Sequence, residues 1–197
     1  MAQPDMNSLE WRRDVDHETY VVCTKPDMLD HDFINTAFAS DDMEWARPLP
    51  SDQMSTMLSQ SITLGLYRVD PPVPPAATSD EPSSPRTPSP TLSPRLQELE
   101  GLKQIGLARL ITDHVTTAYL TDVYIMPEYR RYGLGKWLIA CCKGVLQKLP
   151  AMRRALLVTT PVVGKAFYER ELGMWEFDEE LGSKIVMTRK AYGHGDA

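Results

Sequence analysis

The chain predicts an α+β fold, a mixed and mostly antiparallel sheet flanked by helices on both faces. Three observations carry that expectation. Apolar, strand-like runs alternate with runs whose apolar residues recur at helical spacing. One apolar run ends at Met126 and leads through Gly133 and Gly135 into a long helical run. The composition, 42% hydrophobic and 24% charged over 197 residues, suits one domain with room for a core.

Residues 1–18 are polar and are expected to form a loosely held arm. A first strand follows over 20–24, stopped by Lys25, Pro26 and Asp27. Phe33, Ile34, Ala37 and Phe38 sit at helical spacing behind Asp30, whose carboxylate suits an N-cap. A second short helix starts at Ser51 and carries Met54, Met57 and Leu58 as packing residues. Residues 62–69, 104–112 and 117–126 read as the second, third and fourth strands, the last two joined near His114. The third helix covers 135–149 and stops at Pro150, and 155–160 is an apolar fifth strand. Residues 162–172 form a helix closed by Gly173, and 175–177 and 184–188 supply two final strands. No internal repeat is visible.

Residues 70–95 break this pattern. Nine of the chain's sixteen prolines fall between Pro71 and Pro94, among Ser and Thr and few large apolar residues. Such a stretch buries too little surface to offset its ordering entropy, so disorder is expected. A long insertion between strands is thermodynamically cheap, because closure entropy grows only logarithmically with length. Ser84, Thr87, Ser89 and Ser93 each precede proline and suit proline-directed phosphorylation, although an inert insertion is the simpler reading.

Charge and cysteine usage narrow the classes. A net charge of −6 argues against a nucleic-acid binder and is compatible with a cationic amine substrate. No apolar run is long enough to span a bilayer, and the start does not read as a signal peptide. Cys23, Cys141 and Cys142 have no zinc spacing, so no metal is expected and a reduced cytoplasmic compartment follows, with the nucleus open.

Between Arg130 and Lys136 the chain reads Arg-Arg-Tyr-Gly-Leu-Gly-Lys, an R-x-x-G-x-G pattern at a strand-to-helix turn. Glycine lets a backbone approach a bulky anion, and the first amides of a helix lack internal partners at its positive end. The turn is therefore a candidate pyrophosphate cradle. It is not a P-loop: Arg130 stands where the first glycine belongs, and Trp137 replaces Ser or Thr. Nor is it a dinucleotide fingerprint, because Leu138 occupies the third small position.

The pattern resembles the acyl-CoA loop of the GNAT superfamily of N-acetyltransferases, Arg or Gln, two residues, Gly, one residue, Gly or Ala. Residues 123–130 look like that family's central strand entering its loop, and 105–130 resemble a small microbial subgroup. Ala166, Tyr168, Glu169 and Gly173 are similar to the family's later helix end, with one extra residue before Gly173 and Met174 where an aromatic is usual. The strong resemblance covers about 104–175. It implies one GNAT domain over 1–197, direct acetyl transfer from acetyl-CoA to a primary amine in a ternary complex, and a small-molecule or peptide amine as partner. The alternative is a non-catalytic GNAT-fold module that binds CoA or regulates. Oligomeric state is not legible in the residues.

By the same resemblance, pantetheine would pair with Val123, Tyr124 and Ile125. The amides of Arg131, Tyr132, Gly133, Leu134, Gly135 and Lys136 would bind the pyrophosphate, with Arg130 bracing the turn. Tyr168 matches the tyrosine that protonates the departing thiolate. Asp122 stands out independently, because a charge inside an apolar strand must be satisfied. It is either a general base or amine anchor, as the family often carries an acid near this position, or the structural partner of Arg109. A hairpin centred between His114 and Val115 would put Arg109 opposite Leu120 and diagonal to Asp122. His31, Asp32, Trp45 and Tyr119 are secondary candidates for an acceptor pocket. His114 and His194 are poorly placed as bases, and Cys141 and Cys142 read as packing residues.

Overall fold

The computed structural model describes residues 5–70 and 101–176. The chain divides into two compact units, Met1–Val158 and Thr159–Ala197. Among the described residues, the first holds a six-stranded sheet in the order β1 to β6. β1 (Glu10–Val15) and β2 (Glu18–Cys23) form a hairpin around Asp16 and His17, which have φ of 50° and 68°. Two successive residues at positive φ match the twist of a tight hairpin. β1 corrects the expected loose arm over 1–18. Its polarity is that of an edge strand, where charged side chains discourage pairing with another chain.

β3 (Ser61–Val69), β4 (Leu102–Thr112) and β5 (Thr117–Ile125) continue the antiparallel order, and β6 (Arg154–Leu157) joins β5 in parallel. The β4–β5 register differs from the expected one by a residue: Arg109 lies opposite Thr121, and Leu110 opposite Leu120. The cause is Asp113. Its Oδ1 accepts from the amides of Val115, Thr116 and Thr117 at 3.0, 2.7 and 3.0 Å, which fixes a longer loop. The Thr116 hydroxyl and these amides hold the Asp113 carboxyl well below its usual range.

Helices cover both faces. α1 (His31–Phe38) begins at Asp30, whose Oδ1 accepts from the amides of Asp32 and Phe33 at 2.9 and 3.1 Å, the expected cap. α1 and α2 (Ser51–Ser59) pack Ile34, Phe38, Met54 and Leu58 around Leu107, with Tyr124 against the same cluster. Tyr124 and Ile125 are strand neighbours and point to opposite faces. On the Ile125 side lies α3 (Leu134–Leu146), where a methyl group at Gly135 would stand 3.6 Å from Ile125 Cδ1. Further along α3, a methyl at Gly144 would stand 3.5 Å from the Trp11 ring, so the helix spans the sheet from β5 to β1. Its inward residues include Leu138, Ile139, Cys142 and Val145, all fully buried.

In the second unit, α4 (Val163–Leu172) ends at Gly173, whose φ of 68° is the left-handed closure expected there. Its N–H bonds the Glu169 carbonyl at 3.0 Å, so the extra residue before Gly173 leaves an ordinary helix end. Trp175 and Glu176 carry no strand. Phe177, the expected strand over 184–188 and the expected disorder over 71–95 lie outside the described residues.

Candidate active site

The site is built along β5. β6 pairs with it only from Thr117 to Leu120, and β6 ends at Leu157. From 121 to 125, β5 keeps β4 on one side and, among the described residues, has no strand on the other. An extended edge with main-chain groups to offer thus opens where Val123, Tyr124 and Ile125 stand.

A bulge marks the same place. The pairing passes from Leu107↔Tyr124 to Arg109↔Thr121, so Asp122 and Val123 together oppose Ala108. Asp122 takes a φ of 51°, a conformation that aspartate tolerates better than most residues. Its carboxylate is 4% exposed and fully engaged. Arg109 donates to Oδ2 from Nε at 2.7 Å, and its Nη2 lies 2.7 Å from the same oxygen in the ion pair. The Thr121 hydroxyl and the Trp45 indole N–H donate to Oδ1 at 3.1 and 3.3 Å. The ion pair weighed against a base role is therefore present, and the bulge brings Arg109 to Asp122 despite the altered register.

Beyond β5 the chain makes a 3-10 turn (Pro127–Tyr132) and reaches Gly133 at φ 68° and ψ 14°. α3 then starts with no side-chain cap at its first position. A Cβ built on Gly133 meets nothing within 4 Å, so the space beside this residue is open. Arg130 braces this turn: its Nε donates to the Ile125 carbonyl at 2.9 Å, and its guanidinium lies 5.8 Å from the Tyr124 ring centre. It also pairs with Asp42, which holds it protonated above the usual arginine range. Burial raises the Tyr124 phenol, and Arg130 opposes that shift.

Asp122, Val123 to Ile125 and the 130–136 turn thus form one continuous strand–turn–helix. Tyr168 belongs to α4 of the second unit, half-buried, its ring edge-on to Phe167 with centres 5.1 Å apart. Cys141 and Cys142 are buried, and that burial pushes the Cys141 thiol up to about 12 and raises the Cys142 thiol as well, which disfavours the nucleophilic thiolate. Sequence reasoning missed the bulge and the Asp42–Arg130 pair, whose partners are 88 residues apart without any shared pattern. Among the described residues, no group of three or more His, Cys, Asp or Glu is arranged to hold a metal ion. No helix among them is long and apolar enough to cross a membrane.

Comparison with known proteins agrees with this geometry. The profile of the acetyltransferase (GNAT) family matches residues 78–174. A Gibberella zeae protein named "Putative acetyltransferase FG08082" is 38% identical over 176 residues, covering 89% of this chain and 90% of its own length. The chain belongs to the GNAT family of acetyltransferases. It is an acyltransferase. Solved structures agree on the fold of this GNAT protein. A Xanthomonas campestris pv. campestris protein of the GNAT family gives a TM-score of 0.54 at 24% identity, covering 85% of this chain and 93% of its own. A Staphylococcus aureus protein of unknown function gives 0.52 at 11% identity, with coverage of 86% and 99%.

Proposed function

We propose that this GNAT protein transfers the acetyl group of acetyl-CoA directly to a primary amine in a ternary complex. The observation that carries the reading is the edge of β5 beyond Leu120, which no strand among the described residues covers on the side of β6 and which runs without interruption into a glycine turn with no side-chain cap. The residues fit the group. Main-chain atoms of Val123, Tyr124 and Ile125 would hold the pantetheine arm as an added strand. The turn from Arg131 to Lys136 would hold the diphosphate, and the absence of a Cβ at Gly133 leaves it room. Arg130 keeps the turn in place through the Ile125 carbonyl and does not need to touch the ligand.

Bound acetyl-CoA supplies an activated thioester, and the chain supplies position and protons. The lone pair of a neutral amine forms the N–C bond as the C–S bond breaks. The Tyr168 hydroxyl gives its proton to the departing sulfur, a role supported by its match to the family tyrosine. Asp122 serves as a positioning carboxylate in this reading. Three hydrogen bonds and the Arg109 ion pair engage both carboxylate oxygens, which reduces the capacity to take a proton directly. Solvent at the open edge then receives the amine proton. The acceptor is a small molecule or a peptide amine.

Isothermal titration against acetyl-CoA tests the reading, and no affinity at millimolar ligand removes it. Tyr168→Phe should slow turnover by about 100- to 10,000-fold while leaving acetyl-CoA affinity nearly unchanged. A wild-type rate would take Tyr168 out of the mechanism.

A further inference from the structure

The segment between α1 and α2 carries an exposed tryptophan tied to a buried charge. Trp45 is 60% exposed, yet its Nε1–H donates to Asp122, which is 4% exposed. Single apolar residues on a surface need no explanation. One whose polar edge is fastened to an interior ion pair beside the bulge of β5 does. The bond holds the nitrogen inward and leaves most of the ring to solvent. The same segment is fastened twice more, by the Asp42–Arg130 pair and by Met43, which is 1% exposed. The ring is therefore set before any ligand arrives, so a ligand lying on it meets little ordering cost.

The chemistry of that ring selects its ligand. Indole is the best aromatic partner for a cation, and an N–H bonded to a carboxylate leaves the ring face richer in electrons. Asp41 and Glu44, both exposed, flank it. Arg109 is matched by Asp122 and Arg130 by Asp42, and Arg47 donates to the carbonyls of Glu44 and Ala46. We infer that Trp45 is a specificity-determining residue, and that the acceptor carries a second, non-reacting cationic group seated on the indole. The inference rests on the acetyl-transfer reading above. It also answers a chemical need: an amine gripped as its ammonium has no lone pair to attack with. A second cation lets binding and reaction use different nitrogens.

The test compares cadaverine with pentylamine, a diamine and a monoamine of one carbon chain, by thiol release from acetyl-CoA. The full wild-type chain should favour cadaverine in kcat/KM. Trp45→Leu should lower the cadaverine-to-pentylamine ratio about three- to thirty-fold. Trp45→Phe, which keeps a ring without the N–H, should retain part of the preference. Melting curves of both variants confirm that the ratio is read on folded protein. An equal ratio in wild type and Trp45→Leu overturns the inference, as does turnover of neither amine by protein that binds acetyl-CoA. Failure to bind acetyl-CoA at all overturns the acetyl-transfer reading instead.

Discussion

Gly133 separates what the fold needs from what a ligand would need. Its φ of 68° lies in the left-handed region, where a side chain costs about 1–2 kcal/mol. A Cβ there meets nothing within 4 Å, so the cost to the folded chain is conformational only. Gly133→Ala should therefore lower the melting temperature by roughly 2–8 °C, at about 2–4 °C per kcal/mol for a chain of this size. Asparagine tolerates the left-handed region, so Gly133→Asn should lose much less. Both variants put a side chain into the space assigned to the diphosphate. Displacing one charge-assisted amide–phosphate bond costs about 1.5–3 kcal/mol, or roughly ten- to a hundred-fold in Kd. The two readouts should then part company: Ala and Asn differ in stability and agree in weakened acetyl-CoA affinity. Gly135→Ala is the control. Its methyl would rest 3.6 Å from Ile125, an ordinary contact, inside a helix where alanine gains about 0.5–1 kcal/mol. That variant should melt higher and bind as wild type. Calorimetry on the three variants decides it. A folded Gly133→Asn with wild-type affinity would refute the cradle.

Other outcomes follow from the same structure. Asp122→Asn keeps the shape and the tolerance for positive φ but leaves Arg109, with a side chain 12% exposed, without its counter-charge. The expected loss is about 3–5 kcal/mol. A double change, Arg109→Met with Asp122→Asn, which keeps a residue that tolerates positive φ, should recover part of it, and equal melting of Asp122→Asn and wild type would contradict a structural ion pair. Burial raises all three thiols, Cys141 to about 12. An acid group raised on folding adds stability that is complete below its unfolded value, roughly 8.5, and fades as pH climbs toward the folded one. Native protein should thus show no rapid thiol titration near pH 8, three thiols on denaturation, and a melting temperature that falls as pH rises above about 9. Fast reaction of native Cys141 or Cys142 would show that α3 does not bury them.

The asymmetry between what was legible and what was not has a physical origin. Elements whose signal is local were readable from the residues: the cap at Asp30, the helices after Ser51 and Gly133, and the closure at Gly173. Each depends on propensity and turn chemistry within a few positions. β1 escaped because an edge strand is held by main-chain pairing with β2 and carries the polar side chains of a loop. The position of Arg109 relative to Asp122 was anticipated by diagonal geometry, yet it is realised by a bulge that composition does not announce.

Residue order by itself determined the α+β alternation and the R-x-x-G-x-G turn, because periodicity and glycine placement act over one or two turns of chain. Tertiary structure decided that, among the described residues, β5 has no strand beside it past Leu120 on the side of β6, and that Asp42 and Trp45 reach Arg130 and Asp122 across 88 and 77 residues. Those contacts exist only once the sheet has brought distant segments together, so no local pattern encodes them.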